Sequence, residues 1–311
     1  MNRAPSQMSQ VPSGSEIFLD HVGWFVPEMN AVGPIMERLG FRLTPFVAQH
    51  NADPNGGAPI PAGTGNRCAM LKRGYLEFLA AVPSLQTPLS EQLKAALKRY
   101  HGVHLLAFTI NDSQGAFERL KVEDFSPLDP IHLRRPLTLN NGKNGEVAFT
   151  VIRVPPDKMP EGRIQILRQE TPELVWQDNL IARDNGISAL GGVILCVNDI
   201  EEVANRFGKF TGKKIQGRED YISLDLDRGR ICFTNTGYIQ NVIPNLVVPT
   251  MPFMAVVTLE SRDLEKTKTF INQAGITFKS LGDHAILLSQ DNACGVSLII
   301  FDKEDIWPRN S

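Results

Sequence analysis

The segment LDHVGWFVPEMNAVGPIMERLGF, residues 19–41, decides how the rest of the sequence is interpreted. Its first eight residues are largely apolar and suit a strand, and apolar residues after Pro27 recur at helical spacing. The same order of apolar strand, polar turn and helix returns three times, beginning near residues 103, 190 and 253. Repetition of this kind indicates a single supersecondary unit that is used several times along the chain.

Four units with the same order of strands and helix can be aligned. The predicted first strands are Leu19–Val26, Val103–Ile110, Leu190–Val197 and Phe253–Leu259, and the helices after them are Met29–Leu39, Ser113–Leu120, Ile200–Phe210 and Asp263–Ala274. Asp112, Asp199 and Ser261 precede the last three helices and are expected to cap them. Each unit ends in a strand with alternating faces: Tyr75–Ala80, Arg163–Gln169, Gly229–Thr234 and Gly295–Asp302.

The sequence therefore predicts an α+β protein of four βαβββ modules that pair into two domains. We expect the first domain at residues 16–176, a polar linker at 177–187 and a second, degenerate domain at 188–304. The polar residues 1–15 are predicted to be a flexible tail. The segment Asn51–Gly65, rich in Gly, Pro and Asn, is predicted to be a surface loop within the first module.

Composition limits the classes of function. The chain has 311 residues, with 32 basic and 34 acidic side chains, a balance that predicts neither nucleic-acid binding nor attraction to an anionic membrane. Its four cysteines form no CxxC pair, which argues against a structural zinc site. No apolar stretch is long enough to span a bilayer, and no signal peptide is recognisable, so a cytoplasmic location is expected. A homodimer is left open.

Equivalent positions of the modules carry the candidate metal ligands. One aligned position of the first strands carries His21, His104, Gly192 and Met254, and an inner position of the last strands carries Glu77, Gln165, Cys232 and Ser297. If the first two modules pack with twofold pseudosymmetry, two imidazoles and one carboxylate can converge on one point. We therefore predict one divalent metal in the first domain and no catalytic metal in the second.

The donor set suits several metals, and a simpler interpretation stays open. Two imidazoles and a carboxylate fit Fe, and also Mn, Ni or Zn, and Gln165 could add a weak neutral oxygen. A lone His on an apolar strand is often only a core residue, and Glu77 could face water on the other side of its strand. Recurrence at equivalent module positions favours the metal site.

These segments resemble the vicinal oxygen chelate superfamily, which includes glyoxalase I, extradiol dioxygenases and bleomycin-resistance proteins. Closer still, the chain looks like the glyoxalase-like domain proteins over about residues 17 to 178. The matching segments are LDHVGWFVP, GNRCAMLKRGYLEFL, GVHLLAFTI, FTVIRVPP and RIQILRQETPELVW, which begin at residues 19, 65, 102, 149 and 163. The resemblance implies that the ligands are His21, Glu77, His104 and Gln165, and that Glu77 is also the catalytic residue.

Two departures keep the reaction open. Glyoxalase I typically has Glu where this chain has Gln165, and a neutral amide cannot accept a proton. Two-domain extradiol dioxygenases usually keep their metal in the C-terminal pair of modules. The resemblance thus implies a lyase, an isomerase or a ring-cleaving dioxygenase, with a small-molecule-binding resistance protein as the alternative.

Four polar side chains are candidates for substrate binding. They are Asn66, Arg67, Arg134 and Arg163, on predicted strands next to the expected cleft. Arginine forks could hold an anionic small-molecule substrate. A solvated strand face explains the arginines equally well.

Overall fold

The computed structural model describes residues 9–51, 53, 56–138, 142, 144–181 and 184–303. The strands are β1 (Ile17–Phe25), β2 (Val47–Asn51), β3 (Ile60–Met70), β4 (Tyr75–Ala81), β5 (Gly102–Ile110), β6 (Ile131–Thr138), β7 (Asn144–Arg153), β8 (Arg163–Gln169), β9 (Ile187–Cys196), β10 (Ile215–Arg218), β11 (Tyr221–Asp225), β12 (Arg230–Thr234), β13 (Phe253–Ser261), β14 (Lys279–Ser280), β15 (Ala285–Leu288) and β16 (Ser297–Phe301). The α-helices are α1 (Val32–Arg38), α2 (Pro88–Arg99), α3 (Ser113–Val122), α4 (Pro172–Val175), α5 (Ile200–Thr211), α6 (Thr236–Val242) and α7 (Leu264–Gln273).

The four βαβββ modules are confirmed. In each module the first strand pairs parallel with the last, as β1–β4, β5–β8, β9–β12 and β13–β16. Antiparallel pairing of β1 with β5, and of β9 with β13, joins the modules two by two. The first half thus has the strand order β2-β3-β4-β1-β5-β8-β7-β6, and the second has β10-β11-β12-β9-β13-β16-β15-β14.

Helix starts follow the chemistry of their capping residues. The carboxylates of Asp112 and Asp199 each accept a hydrogen bond from a backbone N–H three residues ahead, as predicted. The prediction for the fourth module is wrong, because Asp263 caps α7 and accepts from Lys266 N at 2.9 Å. Strand β13 continues through Ser261, whose hydroxyl instead accepts from the Asp263 backbone N–H.

Both halves pack their helix-bearing faces into one shared core. Phe108 of the first half lies 6.0 Å from Phe210 of the second, measured between ring centroids. The indole N–H of Trp24 donates to the carbonyl oxygen of Ala293 at 3.1 Å. These four residues belong to one buried cluster with members from both halves, so neither half has a hydrophobic core of its own on this side.

Two segments depart from the sequence-based expectation. The predicted loop Asn51–Gly65 is strand at its C-terminal end, because β3 begins at Ile60. A Cβ on Gly65 would lie 2.2 Å from Cζ of Phe46, so this glycine makes room for a ring rather than forming a turn. The predicted tail is anchored in its middle, where Arg228 donates to Ser9 O at 2.6 Å. Residues 1–8 lie outside the described residues.

The other face of the second sheet is covered by the chain itself. Ile239 of α6, together with Ile243 and Leu246, packs against the strands there. Cys232, one of the four aligned last-strand residues, accepts a hydrogen bond from the hydroxyl of Tyr221 at 2.7 Å. This face therefore presents a packed apolar layer. None of the described helices is long and apolar enough to cross a membrane.

Candidate metal site

The face of the first sheet that points away from the shared core carries most of the candidate residues, and we call it the site face. Its apolar part is a buried cluster: Phe25, Leu79, Leu93, Leu105, Ala107, Val151 and Leu167. Strand alternation places polar residues of β1, β4 and β8 on the same face, two or four residues away from these apolar positions. The polar residues are His21, Glu77, Arg163 and Gln165, and each is at most 7% exposed.

His21 and Glu77 come together as the sequence predicts. Nε2 of His21 lies 3.5 Å from Oε2 of Glu77, and both side chains are buried. The two residues belong to the parallel pair β1–β4, where Gly23 is the partner of Glu77 and His21 is the partner of Tyr75. An imidazole nitrogen and a carboxylate oxygen at this separation can be two neighbouring ligands of one divalent cation.

Asp20 orients the imidazole. Its Oδ2 lies 2.7 Å from Nδ1 of His21, and Gln169 donates to the same carboxylate at 3.1 and 3.2 Å. Consecutive strand residues normally point to opposite faces, but the register of β1 against β5 shifts between Leu19 and His21. The bulge turns Asp20 toward its neighbour. With a proton held on Nδ1 by Asp20, Nε2 is the nitrogen left to bind a metal.

Asn66 orients the carboxylate in the same way. Its amide donates to Oε1 of Glu77 at 2.5 Å, which leaves Oε2 on the side of His21. The residue lies on β3, on the same face as Glu77. The sequence assigned Asn66 to substrate binding, whereas its contact in the structure is with a candidate ligand.

Gln165 lies on the site face as well. It pairs with Ala107 of β5, which in turn pairs with His21 of β1, so the three positions form one row across the sheet. Its Oε1 is buried and has no hydrogen-bond partner among the described residues. A buried, unpaired amide oxygen is costly, and it suits a ligand or substrate contact that a bound group would supply.

His104 is not brought to this group, which corrects the predicted alignment of His21 with His104. In the module alignment set by strand pairing, Leu105 and not His104 is equivalent to His21. His21 pairs with Tyr75, two residues before Glu77. Leu105 pairs in the same way with Arg163, two residues before Gln165. A second register shift in β1–β5 leaves His104 without a partner on β1.

His104 packs between the rings of Tyr100 and Phe25, and its Nδ1 is buried without a hydrogen-bond partner among the described residues. Its Nε2 lies 2.9 Å from the carbonyl oxygen of Tyr100, and its ring stacks on the Tyr100 ring at 3.8 Å. Burial lowers its pKa to about 4. Among the described residues no three His, Cys, Asp or Glu side chains are grouped to hold a metal ion.

Two of the four predicted substrate-binding residues lie elsewhere. Arg67 is on the opposite face of β3 from Asn66, and its Nε donates to Thr44 O at 2.8 Å. Arg134 is exposed on the β6–β7 hairpin and pairs with Glu146 at 3.0 Å. Arg163, by contrast, is buried on the site face, where its guanidinium lies 5.0 Å from the centre of the Phe25 ring.

Sequence reasoning missed Arg153, the last residue of β7. It pairs with Gln165 across β7–β8, and alternation from Val151 places it on the site face. Its Nε is buried without a hydrogen-bond partner among the described residues. The available signal was a cation at the end of the alternating strand FTVIR, which predicts that Arg153 shares a face with Val151.

A further segment closes one end of the site face. After β8 the chain turns through α4, and the ring of Trp176 meets the ring of Tyr75 edge-on at 5.9 Å. Tyr75 also stacks on the His21 imidazole at 4.3 Å. These rings separate His21 from solvent on this side.

Comparisons with known proteins agree with this architecture. Residues 19–237, more than half of the chain, match the family model described as glyoxalase-like domain. The match continues beyond the predicted first domain and into the third module. No curated protein matches the sequence.

Solved structures support the fold across both halves. A hypothetical protein from Staphylococcus aureus aligns at 12% identity over 92% of this chain and 99% of its own, with a TM-score of 0.61. A fusion of a xylose isomerase-like TIM barrel with 4-hydroxyphenylpyruvate dioxygenase aligns at 12% identity over 94% of this chain and 50% of its own, with a TM-score of 0.58.

A mutant of 4-hydroxymandelate synthase from Streptomyces coelicolor aligns at 12% identity over 93% of this chain and 94% of its own, with a TM-score of 0.51. Likenesses at such low identity establish the fold alone. The repeated βαβββ modules, the pairing of the strands and the family match lead to one conclusion: the chain belongs to the glyoxalase-like domain family of the vicinal oxygen chelate superfamily.

Proposed function

We propose that the site face is the active site of a divalent-metal-dependent enzyme whose small substrate presents two neighbouring oxygens. The observation that carries the proposal is the pair His21 Nε2 and Glu77 Oε2, 3.5 Å apart and each held by a second side chain. Asp20 fixes the tautomer of His21, and Asn66 fixes the rotamer of Glu77.

The donors present fit a divalent cation such as Fe, Mn, Ni or Zn. His21 offers an imidazole nitrogen, Glu77 a carboxylate oxygen and Gln165 a neutral amide oxygen without a partner. When bound, such a cation would act as a Lewis acid toward an oxygen-bearing substrate.

The residues of the chain supply orientation and exclusion of water. Asp20 keeps the Nδ1 proton of His21, and Asn66 holds one oxygen of Glu77, so the two donors are preorganised. The buried apolar cluster of the site face, with Tyr75 and Trp176 at one end, excludes water and strengthens electrostatic interactions with a substrate.

Among the described residues of this group, only the carboxylate of Glu77 lies beside Nε2 of His21, because Asp20 lies on the Nδ1 side and is bound by Gln169. Proton transfer would therefore depend on Glu77, which the proposal also uses as a ligand. This arrangement favours ring-cleaving dioxygenase chemistry over a glyoxalase I reaction, which needs a free base near the reacting carbon.

A second candidate is binding of a small molecule without turnover, as in the resistance proteins of the superfamily. One observation favours it: only two ionisable ligands meet among the described residues, since His104 lies against Tyr100. A protein that only sequesters its ligand has no need of a complete metal coordination set.

Metal analysis and turnover separate the two functions. Protein purified without an affinity tag for metals is measured for Fe, Mn, Ni and Zn, and then assayed for oxygen uptake with a panel of catechols and for conversion of the methylglyoxal–glutathione hemithioacetal. We expect about one metal per chain and turnover in the oxygen assay. Saturable binding of panel compounds by metal-free protein without turnover in any metal-loaded sample would establish the second candidate instead.

A further inference from the structure

The site face holds two arginines close to one another, and the proposed metal ligands do not account for either. Arg153 pairs with Gln165 across β7–β8, and Arg163 precedes Gln165 by two residues on the same face of β8. The two guanidinium groups therefore flank the same position. The charge of Arg153 acts on Arg163, and the charge of Glu77 acts on both.

Neither guanidinium forms an ion pair among the described residues, although the negative charge of Glu77 acts on both. Among the described residues, no carboxylate lies within ion-pair distance of Arg153 or Arg163. Nε of Arg163 donates to the neutral amide oxygen of Gln92 at 2.9 Å. Nε of Arg153 is buried with no hydrogen-bond partner at all in the described part of the chain.

A half-buried arginine of the same chain shows how a structural role is satisfied. Arg206 donates to both oxygens of Glu161, at 2.8 and 2.9 Å, and to both oxygens of Glu202. These carboxylates raise its pKa. Arg153 and Arg163 lack the hydrogen-bonded carboxylate partners that the fold supplies to Arg206.

The electrostatic consequence has a clear sign. The charge of Arg153 repels that of Arg163, and Glu77 attracts both guanidinium groups without forming an ion pair with either. Like charges confined in a low-dielectric region destabilise the empty protein, and an entering anion relieves the repulsion.

We propose that Arg153 and Arg163 bind the carboxylate of an anionic substrate whose apolar remainder packs on the site face. The two planar forks suit a carboxylate, and Phe25, Leu105 and Val151 supply the apolar wall. The inference rests on the proposed function for the reaction that follows, and it narrows the substrate class to small carboxylic acids with an apolar body.

The test measures binding on protein from which metal has been removed with a chelator, so it does not depend on turnover. Benzoate, its neutral counterpart benzamide, and inorganic phosphate are titrated by calorimetry at constant ionic strength. We expect benzoate to bind at least about tenfold more tightly than benzamide or phosphate. Equal binding of benzoate and benzamide, or a preference for phosphate, would overturn the proposal.

Variants assign the binding to the arginines. Arg153→Met keeps most of the side-chain volume without the charge, and it should weaken benzoate binding at least about tenfold. Arg134→Met, on the exposed hairpin, is the matched control and should leave the affinity unchanged. Arg153→Met protein that binds benzoate as the wild type does would contradict the proposal.

A second variant tests the same site in case Arg153→Met does not fold. Gln165→Glu places an internal carboxylate opposite Arg153, and it should weaken benzoate by a similar factor. Unchanged affinity in this variant counts against the proposal. The His21→Ala variant separates the two proposals: it should lose the metal and still bind benzoate, so failure of the metal site and failure of the anion site give different results.

Discussion

Nδ1 of His21 lies 2.7 Å from Oδ2 of Asp20, its own neighbour in the chain. This contact exists because a bulge at Asp20 interrupts the pairing of β1 with β5 and turns two successive side chains toward each other. A carboxylate at Nδ1 fixes the imidazole with Nε2 free, and Nε2 faces Glu77. The β-bulge at Asp20 thus orients His21, the proposed metal ligand.

Replacement of either ligand should remove the metal. We expect His21→Ala and Glu77→Gln to reduce the metal content from about one per chain to near zero, measured by elemental analysis, while circular dichroism stays unchanged. His104→Gln is the control, because His104 lies against Tyr100. A variant of His104 that loses its metal, next to a His21 variant that retains it, would reverse our assignment.

Asp20→Asn should lower the affinity for the metal without abolishing metal binding. Loss of a carboxylate that orients a metal-bound imidazole typically costs about 10- to 100-fold in affinity. The measurement is competition with a chromophoric chelator at neutral pH. Asp199→Asn is the matched control, since Asn caps a helix as well as Asp does and Asp199 is remote from the site. Equal affinities of the two variants would exclude the orienting role.

Gln165→Glu should raise proton-transfer activity. The wild-type amide cannot accept a proton, whereas a carboxylate at this position could serve as the missing base. The variant and the wild type are compared with the methylglyoxal–glutathione hemithioacetal, each with the same metal loaded. Wild-type turnover on the order of ten per second would show that no such base is missing.

His104 should make the protein sensitive to acid. In the unfolded chain the imidazole of His104 has a pKa of about 6.5, whereas burial in the folded protein lowers that pKa to about 4. The unfolded chain binds more protons between these values, so the free energy of unfolding falls as the pH drops from 6.5 to 4, by about 3 kcal/mol from this group.

The measurement is denaturant unfolding of metal-free protein across this pH range. His104→Gln keeps a donor for the Tyr100 carbonyl and removes the titration, so its stability should decline less steeply than that of the wild type. Parallel curves for the two proteins would assign the acid sensitivity to other groups.

The two halves should unfold together. Phe210→Ala removes a ring that contacts Phe108 and Phe125 of the first half, and substitutions of this kind cost about 3–5 kcal/mol. We expect one cooperative transition, at lower denaturant than the wild type, by circular dichroism and tryptophan fluorescence alike. Two separated transitions would mean that the halves fold independently.

The repeat pattern by itself determined the modules. Apolar periodicity located the first strand and the helix of each unit, and the last strand Arg163–Gln169 has the predicted bounds. These features are local, because a strand alternates and a helix turns within a few residues. The pair His21 and Glu77 was also predictable, since parallel pairing of the first and last strands follows from the module itself.

Only the tertiary structure decided which side chains share the site. The register shifts at Asp20 and near His104 depend on how β1 meets β5, and a shift of one residue moves a side chain to the other face. For that reason His104 aligned with His21 in sequence but packs on Tyr100, while Asp20 and Arg153 joined the site without a motif. The sequence specifies its modules through local periodicity, whereas long-range strand register selects the residues that meet on the site face.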